Sequence, residues 1–523
     1  MADAAMTALS KLASVTSRMG AAAVIALDSD RLVPIDASTA SLRSGAVHDA
    51  LHVSPMRYLV QRSRGRPAPS PSPTAGPADR HGAAEAPPHE DHDPPMSQGQ
   101  RAVTARSRDR LARRFILTLG SALSGGCLSI REESGTTVLG HGGKCAHMTV
   151  HDERVWGMTA TAGGNGLGAA YMRGYWDTPD LTELLGLLAH NLGRINRLTA
   201  PLDAVRQVAG RLRSHRPTRL ADRRNIHAHY DLGNSFFELF LDPTMAYSCA
   251  IFEPGDDLEA ASLRKFDRIC DRLRLTAGDH LLEIGTGWGG LAIHAARRHG
   301  CRVTTTTISQ EQCEYSRARV AAAGLSDRIT VLDQNYRDLQ GTYTKLVSVE
   351  MIEAVDWRLY DEFFRCCERL LAPDGLAVLQ AIVIEDRAWS SARWREDFIK
   401  RYIFPGGFLP SVRALVDAAN RASGLRLVEL DDIGANYPVT LRHWREALDA
   451  ARDRAVALGY DEQFLRMWRF YFAYCEAGFL ERRISDVHMT FAGRAWRRMP
   501  SAGDSPAEVS ELPGVAGAAR GPA

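Results

Sequence analysis

The 523-residue chain has no apolar run approaching the ~20 residues that a membrane span needs. Its N-terminus lacks the basic-then-apolar order of a secretory signal, so any membrane contact is expected to be peripheral. Its nine cysteines (127, 145, 249, 270, 301, 313, 366, 367 and 475) form no CxxC pair and no Cys/His metal spacing, so no metal site is expected. An odd count without regular spacing reads as reduced thiols of a cytosolic protein. Charge of either sign is not in excess: 64 Lys and Arg face 62 Asp and Glu, a formal +2, so no global field points to nucleic acid. No internal repeat is visible. What is present is ordinary globular composition, 45% hydrophobic and 24% charged, with room for two or three domains at ~100–200 residues each.

Residues 1–105 are expected to be a disordered extension. The first sixty are Ala/Ser-rich, and residues 63–105 are dominated by Pro, Ala, Gly, Ser and His, which bury too little apolar surface to offset ordering. A start codon assigned too far upstream accounts for this segment as well as a functional tail does. Residues 106–195 read as a small α+β domain. It has a helix at 110–123, short strands at 127–130, 136–139 and 148–150, and a later helix capped by Thr178 or Asp180. An Arg-rich linker, 196–225, follows. Residues 226–500 are the main domain, and 501–523 are a disordered tail. From about 276 strands (280–284, 302–308, 329–333, 345–349, 376–384) alternate with helices (290–299, 310–323, 357–371), the pattern of a parallel sheet with helices on both faces. Further strands at 425–431 and 487–492 bracket a helical, aromatic-rich stretch at 441–482. The order predicts an α/β fold, a seven-stranded Rossmann-like core with a helical insertion before its last strand.

Residues 281–289, Leu-Leu-Glu-Ile-Gly-Thr-Gly-Trp-Gly, carry the sharpest signal. A buried strand ends in Gly285, Gly287 and Gly289, which lack Cβ atoms and let backbone approach a ligand. A helix follows, the nucleotide-site device of doubly wound folds. The turn suits a dinucleotide or S-adenosylmethionine (SAM). A dinucleotide site usually ends its second strand on an acid ~20 residues on. Here that strand ends Thr304-Thr305-Thr306-Thr307-Ile308-Ser309, which argues against a nicotinamide cofactor.

Several ordered motifs then resemble the cyclopropane-fatty-acyl-phospholipid synthase family, which includes the mycolic acid cyclopropane synthases. They are His229-Tyr230-Asp231-Leu232-Gly233-Asn234, Tyr247-Ser248-Cys249-Ala250, the glycine turn, Thr307-Ile308-Ser309-Gln310-Glu311-Gln312, Val347-Ser348-Val349-Glu350-Met351-Ile352-Glu353 and Ile403-Phe404-Pro405-Gly406-Gly407. The resemblance covers roughly residues 110–498. It implies transfer of a SAM-derived methylene to the double bond of a lipid acyl chain. It also implies the SAM contacts: Tyr247, Ser248, Leu281, Glu283, Gly285, Thr286, Gly287, Trp288, Gly289, Thr307 and Gln312 on the ribose side, Tyr336 and Arg337 beside the adenine. Glu353, in an apolar setting after the fourth strand, stands at the family's catalytic glutamate; Glu350 is the less certain acid. Bicarbonate, the family's base, is expected on the Cys249 backbone, Ile382 and Tyr437. Cys249 itself is not read as a nucleophile, since methyl transfer to an alkene needs no covalent enzyme intermediate.

Two departures stand out. Gln380 occupies the place of the family's histidine, and an amide can hydrogen-bond an anion but carries no charge. Ala169 replaces a glutamate in Gly166-Leu167-Gly168-Ala169-Ala170-Tyr171-Met172. The aromatics Phe236, Phe237, Phe240, Trp394, Phe398, Tyr402, Phe404, Phe408, Trp468, Phe470, Tyr471, Phe472 and Tyr474, with Met467, either line an acyl channel or are simply core. Arg194 to Arg224 either rest on anionic headgroups or form a solvated helix. The function expected is SAM-dependent cyclopropanation of unsaturated phospholipid acyl chains, in the cytoplasm at the inner membrane surface, with a homodimer left open. Alkene methylation without ring closure, and a non-catalytic lipid- or SAM-binding protein, are the alternatives.

Overall fold

The computed structural model describes residues 98–199 and 233–497. The motif His229–Leu232, the Arg-rich stretch beyond residue 199, most of the extension and the C-terminal tail lie outside the described residues. Residues 98–105, expected in the extension, belong to the first helix, Gln98–Gly120. Strands β1 (Gly126–Glu132), β2 (Gly135–His141), β3 (Cys145–Val150) and β4 (Trp176–Asp177) follow in a sheet of order β2-β1-β3-β4. Helix Arg154–Ala162 escapes a sequence reading because Gly157, Thr159 and Thr161 are poor helix formers. Its buried residues Val155 and Trp156 dock it instead. Helix Leu181–His190 starts where Asp180 accepts the Glu183 N–H at 2.9 Å, so Asp180 rather than Thr178 is the cap. The expectation of nine reduced thiols is corrected here. Cys127 and Cys145 are register partners on parallel β1 and β3 and form a disulfide, while the other seven cysteines are free.

The second sheet contains β5 (His280–Ile284), β6 (Arg302–Thr307), β7 (Ile329–Asp333), β8 (Tyr343–Val349), β9 (Leu371–Ile384), β10 (Arg426–Asp432) and β11 (Ile484–Ala492), in the order β10-β11-β9-β8-β5-β6-β7. Strands β5 to β9 pair in parallel, and β11 runs antiparallel to both neighbours. The seven-stranded α/β core is therefore as the alternation predicted. The chain leaves β5 toward β6 and β7, then returns to β8 on the other side. That reversal opens a crevice at the carboxyl ends of β5 and β8, where ligands of such folds bind. Hydrophobic clusters pack both faces of the sheet, one around Leu282, Phe363 and Leu379, the other around Ile269, Leu281 and Val378.

Helices Tyr437–Ala450, Arg452–Ala457 and Glu462–Leu480 form the insertion before β11. Phe236, Phe237, Phe240, Phe398, Met467, Trp468, Phe470 and Phe472 are buried in one cluster that also holds Trp156, Tyr171 and Trp176. The core reading of these aromatics therefore prevails over the channel reading, and the N-terminal sheet shares this core with the insertion. Polar ties cross the same boundary. Arg466 bonds the Tyr171 and Trp176 carbonyls and pairs with Asp177 at 2.7 Å, and Thr182 donates to Glu476. Among the described residues no helix is long and apolar enough to cross a membrane.

Candidate functional site

The turn after β5 needs its glycines. Gly285, Gly287 and Gly289 have φ of 103°, 51° and 83°, a region that Cβ-bearing residues rarely enter. A Cβ on Gly290 would lie 2.4 Å from the Thr244 carbonyl oxygen, so the helix can start only hard against the 242–249 loop. The crevice above this turn is lined by Tyr247, Ser248, Glu283, Gly285, Thr286, Gly287, Trp288, Thr307, Gln312, Tyr336 and Arg337, all foreseen, with Glu350 and Lys265 in addition. Leu281 is not in the crevice: it shares a face with Glu283 but lies two residues back from the carboxyl end of β5, in the core. Gly289 lies outside the lining too, a turn residue packed against Ser316.

The walls are locally cross-bonded. Trp288 Nε1 donates to Asn234 Oδ1 at 2.7 Å. Thr307 Oγ1 donates to Gln312 Oε1 at 3.1 Å, and Ser309 caps the next helix by accepting the Gln312 N–H. The Arg337 side chain is 5% exposed, stacks its guanidinium 5.1 Å from the Tyr336 ring centroid and pairs with Glu362. Burial pushes the Glu283 carboxyl up to about 8, against the pull of its Thr305 hydrogen bond and the Lys265 charge. Lys265 is itself buried, with Nζ 2.6 Å from Ser248 Oγ, and burial lowers its pKa.

Beside the crevice lies a cluster of hydrogen-bonded acids. Glu350 sits at the end of β8 with φ +45°, a strained conformation for a side-chain-bearing residue. That backbone turn aims its carboxylate at three donors: Cys249 N–H and Gln380 Nε2 reach Oε1, each at 2.8 Å, and Tyr437 O–H reaches Oε2 at 2.7 Å. Glu353 is held separately. Its Oε1 accepts the Ile382 N–H at 2.5 Å, and its buried Oε2 has no hydrogen-bond partner. Burial first, and the Glu350 charge second, push the Glu353 carboxyl up to about 8. Phe408 N–H bonds the Glu353 main-chain carbonyl at 2.8 Å, which ties the segment after Ile403-Phe404-Pro405-Gly406-Gly407 to the backbone of this acid. Burial holds the Cys249 thiol protonated, well above its ordinary pKa, in keeping with no nucleophilic role.

The structure thus divides the residues expected around one anion. Cys249, Gln380 and Tyr437 converge on Glu350, and only Ile382 serves Glu353. Glu350, the less certain acid in the sequence, receives three of these donors, and Lys265, Asp486 and His488, which the sequence reading did not single out, lie around it. The signal for the last two was polar alternation, Asp486-Val487-His488, on the strand that flanks Gln380. Gln380 is a buried amide with both ends engaged: Nε2 donates to Glu350 and to Asp486 Oδ2 at 2.8 Å, and Oε1 lies 3.0 Å from His488 Nε2. Ala169, in place of the expected glutamate, sits in the N-terminal helix Gly164–Met172.

Known proteins share this arrangement of sequence. The family model described as mycolic acid cyclopropane synthetase matches residues 218–489. A tuberculostearic acid methyltransferase of Mycobacterium tuberculosis is 42% identical over 324 residues, 60% of this chain and 75% of that protein. The cyclopropane-fatty-acyl-phospholipid synthase of Escherichia coli is 34% identical over 334 residues, 63% of this chain and 83% of that protein. Among solved structures, a cyclopropane synthase of M. tuberculosis is 28% identical with a TM-score of 0.49, covering 52% of this chain and 98% of that one. The chain belongs to the mycolic acid cyclopropane synthetase family and is, with it, a SAM-dependent methyltransferase acting on unsaturated lipids.

Proposed function

We propose that this chain moves the methyl carbon of SAM onto the double bond of an unsaturated acyl chain in a membrane phospholipid and closes it to a cyclopropane, with Glu350 taking the proton. The observation that carries this reading is the Glu350 carboxylate, lining the SAM crevice and fixed by Cys249, Gln380 and Tyr437. When bound, SAM supplies an electrophilic methyl group on a sulfonium sulfur. Gly285, Thr286 and Gly287 would approach its amino-acid end with backbone, together with Tyr247, Ser248, Glu283 and Trp288. Thr307 and Gln312 would hold the ribose, and Tyr336 and Arg337 the adenine. Lys265 adds a cation for the cofactor carboxylate.

Methylation of an alkene leaves a carbocation one carbon away, and ring closure needs a proton removed from the new methyl group. A positioned carboxylate is suited to that step and is worth ~10²–10⁴-fold in rate. The resemblance assigned the step to bicarbonate. The Cys249 N–H and Tyr437 O–H already serve the Glu350 carboxylate, so a bicarbonate there would share donors with a second anion. These residues do not fit it, and no step is routed through it. Glu350→Gln is expected to lower kcat at least ~100-fold while SAM affinity changes little, and wild-type turnover in bicarbonate-free buffer is expected to equal that in bicarbonate. Full activity of Glu350→Gln, or dependence on added bicarbonate, would return the role to the ion.

A second reading, alkene methylation without ring closure, is favoured by the relative whose name is tuberculostearic acid methyltransferase. Both outcomes begin with the same carbocation and differ in which bond replaces the lost C–H. The lipid is expected to reach the site through peripheral contact with the inner membrane surface. The deciding measurement is lipid mass spectrometry of a host expressing this chain and supplied with methyl-labelled SAM. A labelled gain of one CH₂ that resists hydrogenation supports the cyclopropane. Label in chains without a ring supports methylation. No label in lipid overturns both.

A further inference from the structure

Behind Glu350 lies a second carboxyl group that neither the glycine turn nor the SAM crevice accounts for. Asp486 is on β11, 0% exposed, opposite Ile382 of β9. Its Oδ2 accepts from the same Gln380 Nε2 that serves Glu350 Oε1, both at 2.8 Å, so one amide nitrogen forks between two acids. The orientation of that amide is fixed from the other side. His488 is the register partner of Gln380, and its Nε2 lies 3.0 Å from Gln380 Oε1. His488 is buried and kept neutral, so with Nε2 protonated it donates to the amide oxygen and turns Nε2 of Gln380 toward the acids.

Two carboxylates bridged by one donor in a buried site cannot both be ionised. The hydrogen bonds say which one keeps the charge. Glu350 has three donors, whereas Asp486 receives only the Gln380 fork and its Oδ1 has no hydrogen-bond partner. We propose that Asp486 is the positioning residue of the base: the Glu350–Asp486 pair holds one proton, resident on Asp486, and the neutral acid keeps Glu350 ionised and aimed at the crevice. This rests on Glu350 being the proton acceptor. Titratable groups face Asp486 from every side: Glu350 and Glu353 after β8, Cys249, Lys265 on helix Leu258–Leu273, Tyr437 on helix Tyr437–Ala450, and His488 on its own strand. Burial first, and the charge of Glu350 second, hold Asp486 well above the usual carboxylate range. Burial raises Glu350 as well, against its hydrogen bonds from Cys249 and Tyr437 and the Lys265 charge, so what separates the two acids is the donor set, three on Glu350 and one on Asp486.

The test uses the full chain with SAM and unsaturated phospholipid vesicles. In Asp486→Asn the acid is gone but Gln380 keeps an acceptor. The acid limb of kcat is expected to move to higher pH by about one unit, a tenfold change in proton affinity of Glu350. The infrared band of protonated carboxyl groups is expected to lose one carboxyl at neutral pH. Asp486→Glu restores an acid and is expected to bring the limb back toward wild type; if the Asn variant does not fold, this variant and the wild-type band carry the comparison. A purely structural role would lower activity and leave both limb and band unmoved, which would overturn the proposal. The two readings fail separately: an active Glu350→Gln sinks the assignment of the base, whereas an inactive Glu350→Gln with an unshifted Asp486→Asn sinks this inference alone.

Discussion

At the scale of single residues, the site is a set of carboxyl groups separated in role by their surroundings. Glu350 has three donors that oppose the effect of its burial; Glu353 has one donor and an unpartnered oxygen, and burial pushes it up to about 8. This has a consequence for stability. Glu353 titrates near 4.5 when unfolded and about 8 when folded. Between those values the folded state holds a proton that the unfolded state has lost. The contribution of Glu353 is therefore present below about pH 4.5 and declines as pH rises to about 8. Glu353→Gln carries no such titration and keeps an acceptor for the Ile382 N–H. The difference in Tm between variant and wild type, followed by calorimetry, is expected to grow from pH 4.5 to pH 8 by at least ~2 °C and then level. A difference constant with pH would mean that Glu353 is ionised in the fold.

At the scale of elements, the turn between β5 and helix Gly290–His299 combines strain with function. Gly285 has φ +103°, its backbone N–H bonds the Thr306 carbonyl of β6, and a Cβ there would lie 3.2 Å from Met351 Cγ. Gly285→Ala is expected to cost about 1–3 kcal/mol of stability from the conformation alone. It would also press on Met351, next to Glu350, and narrow the crevice. SAM affinity by calorimetry is expected to fall at least ~10-fold, about 1.4 kcal/mol. An unchanged Kd would place the cofactor elsewhere. The insertion before β11 shows the opposite use of an element. Helix Glu462–Leu480 is buried on almost all sides, as a helix between two packed layers must be.

At the scale of the whole molecule, the N-terminal sheet and the insertion are one packed body. Arg466 is the polar tie between them: its guanidinium lies 4.0 Å from the Tyr171 ring centroid, bonds two carbonyls and pairs with Asp177, at 13% side-chain exposure. Arg466→Ala removes the bonds to the Tyr171 and Trp176 carbonyls and the Asp177 pair, while Tyr171 keeps the Gly174 N–H, and is expected to cost about 1–3 kcal/mol. Scanning calorimetry is expected to split a single transition into two as the N-terminal sheet loosens first. One transition shifted down as a unit would mean that the shared aromatic core alone couples the parts.

Much of this was legible in the sequence. Alternating apolar runs gave the seven strands and their helices because side-chain periodicity is a local property, and the glycines at 285, 287 and 289 marked the crevice because only glycine suits such φ values. Gln380 announced itself as a departure from its family. The partners of Gln380 were not legible. Glu350 and Glu353 are three residues apart in one motif, and nothing local says which of them faces Cys249 and Tyr437. That choice follows from a left-handed turn at Glu350 and from β11 inserting antiparallel beside β9, which brings Asp486 and His488 to Gln380 from more than a hundred residues away. Likewise Cys127 and Cys145 are bonded because β1 and β3 pair in parallel, which their spacing alone did not reveal. The sequence determined the elements, the cofactor turn and the family. Only the tertiary structure decided which donors each acid receives, because those donors are brought together across the sheet.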